Sequence, residues 1–473
     1  MLDFSDLRYS EKAIGHFLEF TKIPRGSGNT KAIADYLVEF AKSRGLEFHR
    51  DAKDNVIIRK PATEGFESHP GVIIQGHTDI VALKNPDCSI NMDKEGPRVY
   101  RDGDFLRADG TTLGADDGVA MAYALAILDS SDIQHPELEA VFTSDEEIGL
   151  LGAAALDTSL LRGKMFINID SDEEGIFTAG CAGGARVDLH ITNSAKTHIG
   201  QIYTLTIKDF KGGHSGVEIH KNRINAIKCA AEILSQLEDV RIGRAEAGSA
   251  DNAIPSDAIV MFTTKSSIFE ISEVINNVKD KLPEGDNEAK FNVEMNIFSA
   301  RLLSVTDTKN ILDMIMEMPN GVTRMSEDIE GLVETSLNMG ILHNNDKACD
   351  LTISVRSAVG EEKAKLLNTI RSVATAHGAE MSVRGEYPAW EYRKESRLRE
   401  VMCSVYRDMY GKDATVVTIH AGLECGIFSD KIDGLDCISI GPDNKDIHTP
   451  DERLSLSSFE RVYEYLLNVL KNL

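Results

Sequence analysis

Helical stripes alternate with short β-branched runs over the first 180 residues, then runs of strands with a few helices take over, and the end of the chain is helical. Lys31 to Arg44 sets Ile33, Ala34, Leu37, Val38 and Ala41 on one helical face, while 55–59 and 71–75 are short apolar runs rich in valine and isoleucine. Val119 to Leu128 predicts a buried helix, and Leu138 to Thr143 and Met165 to Ile169 predict buried strands. Such alternation predicts an α/β domain with a largely parallel sheet. After Gly180 the texture changes. Ala185 to Asn193 and Gln201 to Phe210 read as alternating strands, a helix is expected from about Asn222 to Leu237, and Ala258 to Thr264 and Leu351 to Val355 read as strands again. This pattern predicts an α+β insert with a one-sided antiparallel sheet. Trp390, the only tryptophan, marks the crossover back. At the end, Ser457 and Glu460 predict a capping box, with Phe459, Val462, Leu466, Leu467, Leu470 and Leu473 on one face of a final helix. One domain is interrupted by another.

Charge narrows the partners. With 76 acidic against 51 basic residues the net charge is −25, which argues against nucleic acid or an anionic membrane as the main partner. The seven cysteines, at 88, 181, 229, 349, 403, 425 and 437, are widely spaced and contain no C-x-x-C pair, so they read as buried hydrophobes in a reducing compartment. The start, Met1-Leu-Asp-Phe-Ser-Asp6, has neither a basic region nor an apolar core and reads as no signal peptide. The longest apolar run falls short of the ~20 residues that span a bilayer. A cytoplasmic location is expected.

Chemistry-bearing residues collect after the predicted strands, where open α/β sheets place ligands. His77 and Asp79 lie two apart at a strand end, so that the carboxylate can orient the imidazole. Asp116 and Asp117, flanked by glycines before an apolar helix, read by themselves as a turn and N-cap. Asp145, Glu146 and Glu147 repel one another unless a cation holds them, and Asp170 ends another strand in an equally acidic segment. His448 lies far downstream, just before the final helix. Two histidines and several carboxylates at separate strand ends suit a two-metal site with a bridging carboxylate. Rival chemistries lack their residues: the 26–31 segment has no G-K-[ST] ending, and there is no G-x-G-x-x-G, G-x-S-x-G or H-E-x-x-H.

The ordered set of His77 and Asp79, Asp116 and Asp117, Glu146 and Glu147, Asp170 and His448 resembles the dinuclear zinc metallopeptidases that include carboxypeptidase G, peptidase T, aminoacylase and carnosinase. The stretches 110–118, 212–216 and 420–424 are most similar to that family's aminoacyl-histidine dipeptidase branch. The resemblance implies a zinc-peptidase catalytic domain over 1–183 and 391–473, and a lid and dimerisation domain over 184–390. It implies two zinc ions, with manganese or cobalt as alternatives. Asp116 would bridge them, His77 and Asp170 would complete one site, and Glu147 and His448 the other. A cis peptide is expected after the bridging aspartate. Glu146 would be the general base and Asp79 would orient His77, so that hydroxide generated at zinc attacks a peptide carbonyl. In the lid, His214 would stabilise the oxyanion and Arg356 would grip the substrate's terminal carboxylate, with Asn252 and Asn338 as further contacts.

One departure stands out: no arginine follows the Asn252-Ala-Ile-Pro255 element closely, and Arg356 lies about a hundred residues on. An enlarged or duplicated lid is the expectation. His420 and Glu424 read as supporting residues. The implied activity is hydrolysis of unblocked dipeptides, Xaa-His above all, by a homodimer. The alternatives are a related N-acyl amino acid deacylase or tripeptide aminopeptidase and, from another class, a non-catalytic binding protein on the same scaffold.

Overall fold

A computed structural model describes residues 3–327, 329 and 331–473; Met1 and Leu2, the start of the segment read as no signal peptide, lie outside them. The chain divides into two compact units. One runs to Cys181 and resumes at Tyr392–Thr418 and Leu423–Leu473; the other comprises Ala182–Glu391 and Ile419–Gly422. The short return of Ile419–Gly422 to the second unit has no counterpart in the sequence reading.

The first unit is built on an eight-stranded sheet, in the order Glu47–Arg50, Val56–Lys60, Leu138–Thr143, Val72–His77, Met165–Asn168, Asp436–Ser439, Ile176–Cys181 and Thr415–Ile419. The middle four strands run parallel, and antiparallel pairs flank them. All four parallel strands are buried along their whole length, as a sheet covered on both faces requires, and polar residues such as Gln75, Glu139 and Asp436 are buried with the apolar ones. The helix Ala115–Leu128 is buried on nearly every side, and its Tyr123 packs against Phe459 and Tyr463 while donating to the Phe459 carbonyl at 2.6 Å. No helix among the described residues is long and apolar enough to cross a membrane.

The capping box expected at Ser457 and Glu460 does not form. The final helix is Leu456–Asn472, and Ser455 caps it by accepting from the Ser458 N–H. Glu460 instead accepts the N–H groups of Arg8, Tyr9 and Ser10 at 2.8–3.0 Å, just ahead of the first helix, Glu11–Phe20. Three orphan donors there outcompete the single one that a capping box would satisfy.

The second unit is a nine-stranded sheet in which every described pairing is antiparallel. Its topology is a nested duplication. Strand Lys196–Lys208, helix Ala226–Ser235, strands Arg241–Ala247 and Ala258–Thr263, helix Ile268–Lys279 and strand Lys290–Leu302 make one βαββαβ motif. Strand Gly183–Thr192, helix Val305–Glu317, strands Val333–Asn344 and Ala348–Ser357, helix Gly360–Ala376 and strand Glu380–Tyr387 make another, with the first inserted after its opening strand. The spatial orders, 4-1-3-2 and then 2-3-1-4, mirror each other across the antiparallel junction of Arg241–Ala247 with Val333–Asn344. Burial alternates along Ala348–Ser357, as expected for a sheet with one covered face. The helix expected over 222–237 is shorter because Asn225 starts it, its side chain accepting from the N–H groups of Ile227 and Lys228. The distant Arg356 is explained as well: it belongs to the second motif, and Asn252 to the first.

Candidate metal centre

Parallel register brings the donors to one edge of the first unit's sheet. His77 lies opposite Thr143, so Asp79 and the turn carrying Glu146 and Glu147 leave the sheet side by side. Gln75 lies opposite Asn168 on the other side, two residues before Asp170, and Asn168 in turn lies opposite Ser439, ahead of the segment that carries His448. Asp116 enters from the start of the buried helix, where it and Asp117 have non-helical backbone angles and the peptide between them is cis. Gly76 permits this approach, since a Cβ there would fall 2.2 Å from an Asp117 carboxylate oxygen.

The resulting distances define a bridged pair of donor groups. His77 Nε2 lies 3.0 Å from Asp116 Oδ1 and 3.7 Å from Asp170 Oδ1. His448 Nε2 lies 3.1 Å from the other Asp116 oxygen and 3.0 Å from Glu147 Oε1. Within 4.8 Å of one another stand the ligand atoms of His77, Asp116 and Asp170, those of Asp116, Glu147 and His448, and those of His77, Glu146 and Glu147. Asp116 therefore offers one oxygen to each side.

Asp79 supports the donors without joining them. Its main-chain carbonyl, rather than its carboxylate, is the 3.0 Å partner of His77 Nδ1, and the carboxylate lies 3.6 Å from that nitrogen. The carboxylate accepts instead from Ser27 Oγ at 2.7 Å and from the Glu146 and Glu147 N–H groups at 2.9 and 3.3 Å. One buried side chain thus ties the His77 segment to the Glu146–Glu147 turn.

Electrostatics favour a cation. Burial works against the His77 imidazolium, but Asp116, Asp170 and Asp79 outweigh it and its pKa stands well above the ordinary value. Hydrogen bonds to Asp116 and Glu147 push His448 up to about 10. Burial drives Asp170 up to about 6 and pushes Glu146 well above the carboxylate range, with neighbouring acids adding to the effect. Carboxylates this crowded outnumber the imidazoles that could neutralise them, so hard-oxygen and imidazole donors meeting at one place fit divalent metal ions.

Behind the donors lies a buried polar chain that ends on Glu424, one of the residues read as supporting; its other members, Gln75, Thr143 and Asn168, had no part in that reading. Asn168 donates to Gln75 at 2.8 Å, and Gln75 and Thr143 donate to Glu424 Oε2 at 2.5 and 2.6 Å. Arg25 and Glu452 were overlooked too: Glu452 lies within the His448 motif, but an acid beside many others gives no sign that it turns inward.

Among the second unit's candidates, His214 and Arg356 lie close enough for the guanidinium charge, after burial, to hold the imidazole below its ordinary value. His214 Nδ1 accepts from the Gly216 and Val217 N–H groups at 3.1 and 3.2 Å, which leaves Nε2–H as a donor. Among the described residues the Arg356 guanidinium has one hydrogen bond, to the Tyr387 hydroxyl at 3.4 Å, and its Nε is buried without a partner. His420 is buried, shares a 2.7 Å hydrogen bond with Ser336, and is pushed down to about 3 by burial and by Arg356. Asn338 differs from the expectation of a substrate contact. It is buried in the sheet, where it receives a hydrogen bond from Asn225 and donates to the Ala253 carbonyl at 2.7 Å, so its amide supports the turn that bears the exposed Asn252.

Comparison with known proteins finds relatives over nearly the whole chain. The profile of Peptidase family M20/M25/M40 matches residues 73–472. The chain is 33% identical over 467 residues to the cytosol non-specific dipeptidase of Escherichia coli, a match that covers 97% of this chain and 96% of that one. Among solved structures it is similar to aminoacylhistidine dipeptidase from Vibrio alginolyticus, with a TM-score of 0.90 and 33% identity over 97% of this chain and 96% of that one. It also resembles aminopeptidase PepT from Bacillus cereus, with a TM-score of 0.57 and 17% identity over 98% of each chain, a likeness of fold alone.

Proposed function

The chain belongs to peptidase family M20/M25/M40, and from that membership we propose that it is a metal-dependent dipeptidase that cleaves unblocked dipeptides and prefers C-terminal histidine. The observation that carries this reading is Asp116, which presents one oxygen toward His77 and the other toward His448. The full-length likeness to a non-specific dipeptidase and to an aminoacylhistidine dipeptidase supports the substrate class.

His77, Asp116 and Asp170 would hold one cation, and Asp116, Glu147 and His448 a second; imidazole mixed with carboxylate suits zinc, with manganese and cobalt as alternatives. Cations there supply Lewis acidity that acidifies water and polarises the scissile carbonyl. Glu146 takes the proton from the attacking water and returns it to the leaving amine. Asp79 orients His77 and, through the two N–H groups that it accepts, fixes the Glu146–Glu147 turn. In the second unit, the Nε2–H of His214 is the donor for the developing oxyanion, Arg356 pairs with the substrate's terminal carboxylate, and Asn252 is a further substrate contact. Supporting a cytoplasmic location are the unpaired cysteine spacing and the name of the Escherichia coli relative. A homodimer is the assembly expected from the resemblance, and light scattering on the purified protein checks it.

The deciding experiment strips the protein with a chelator and restores zinc, manganese or cobalt before a panel of Xaa-His dipeptides, other dipeptides, tripeptides and N-acyl amino acids. Hydrolysis of dipeptides, fastest for Xaa-His, is expected only after metal is restored. Turnover that survives thorough stripping would sink the proposed mechanism, and a preference for tripeptides or acylated amino acids would move the substrate class to the corresponding relatives.

A further inference from the structure

Two buried charges that are not metal donors connect the three segments that carry His77, Asp116 and His448. Glu452 and Arg25 are each 2% exposed. Glu452 Oε2 accepts the Leu113 and Gly114 N–H groups at 2.7 and 2.8 Å, and Oε1 accepts those of Ala115 and Asp116 at 2.8 and 3.3 Å. Asn444 adds its side-chain amide to Oε1 at 3.3 Å. Four consecutive main-chain donors converge on one carboxylate because the backbone turns through a left-handed Gly114 and a non-helical Asp116 and Asp117, where no helical acceptor is available. The same residue anchors the His448 segment through its own N–H, which donates to the Thr449 carbonyl at 3.1 Å.

Arg25 acts from the other side. Its Nη1 donates to the carbonyls of Thr78 and Asp79 at 2.7 and 3.4 Å, and its Nη2 donates to the Gly114 carbonyl at 2.6 Å. The fork therefore spans the His77–Asp79 segment and the Asp116 loop at once, a geometry that a single ammonium cannot reproduce. A Cβ at Gly114 or at Gly118 would fall 2.9 Å from Nη2, so the loop is packed onto the guanidinium. Burial pulls Arg25 down to about 10, with Glu452 the foremost opposing charge, so it remains a cation at neutral pH.

We propose that Arg25 and Glu452 are the positioning residues of the metal centre: together they hold the Asp116 carboxylate between His77 and His448, and cation affinity depends on both. The inference rests on the donor assignment made above. Its test measures zinc binding to the metal-stripped protein by competition with a fluorescent chelator, alongside thermal unfolding of the metal-free form. Glu452→Gln places an amide NH2 against two of the four N–H donors, and Arg25→Lys removes the fork but keeps the charge. Each should weaken zinc binding by about 10- to 100-fold, the usual effect of losing a group that orients ligands, and should raise in parallel the zinc concentration that gives half-maximal hydrolysis. Parent-like zinc affinity in both variants overturns the proposal, as does a lowered melting temperature with affinity unmoved, the signature of a merely structural role. Arg25→Lys is the milder change and serves where Glu452→Gln does not fold. If the parent itself fails to bind zinc, or His448→Ala binds as tightly as the parent, the donor assignment falls instead.

Discussion

Arg356→Met keeps an unbranched apolar stem and deletes the guanidinium, which turns the proposed recognition of a free carboxylate into a measurable difference. In the free protein Arg356 Nε is already buried without an acceptor, and the guanidinium's described hydrogen bond, to Tyr387, is long at 3.4 Å. A carboxylate that docks in the fork therefore displaces little and can accept two charge-assisted hydrogen bonds, each worth about 1.5–3 kcal/mol. The side chain is only partly buried, so the lower end of that range applies and the pair contributes about 3 kcal/mol, roughly 100-fold in kcat/KM. The assay compares a Xaa-His dipeptide with its C-terminal amide on the parent and on the variant. The parent should favour the free acid by roughly 100-fold, and the variant should lose most of that preference through the acid alone. Equal losses on acid and amide would refute the reasoning, because they would mean that Arg356 holds the site together rather than reading the carboxylate.

Glu146→Gln should lower kcat by about 10²- to 10⁴-fold while zinc titration still reaches the parent's stoichiometry; parent-like turnover removes Glu146 as base. Asp79→Asn leaves one of the Ser27, Glu146 and Glu147 donors facing an amide NH2, and chemical denaturation should register a loss of about 1–3 kcal/mol, whereas an unchanged midpoint would contradict the bonding described. His420 has a folded value near 3 against 6.5 in the unfolded chain, so unfolding takes up a proton between those limits. Its stabilising contribution is complete above pH 6.5 and declines on acidification by about 1.4 kcal/mol per unit. His420→Gln, which can keep the bond to Ser336, should flatten the acid side of the stability curve, and an unaltered slope would show that another group is responsible.

The features legible in the sequence share a physical property: each is written over a few consecutive residues. His77, Asp145 to Glu147 and Asp170 follow buried strands whose apolar runs are unmistakable, and parallel register alone then carries them to one edge. What escapes sequence reading depends on partners far along the chain. Ser457 and Glu460 have the local signature of a capping box, yet Glu460 answers to N–H groups about 450 residues away. Gly183–Thr192 looks like the first of a run of strands, but its place beside Glu380–Tyr387 becomes visible only once the nested motif is traced. Asn338 is a substrate contact only by resemblance; in the structure it is buried and spent on holding a turn.

Glu452 makes the same argument in its sharpest form. It stands four residues after His448 among other acids, and its function lies in N–H groups 336–339 positions earlier. Donor identity is a local property and survives in the sequence, whereas the preorganisation that makes those donors converge is assembled from long-range contacts. A variant that keeps every donor but moves Glu452 or Arg25 should therefore look intact by motif and still bind metal poorly, which is why affinity, and not motif completeness, is the measurement that separates a working centre from a vestigial one.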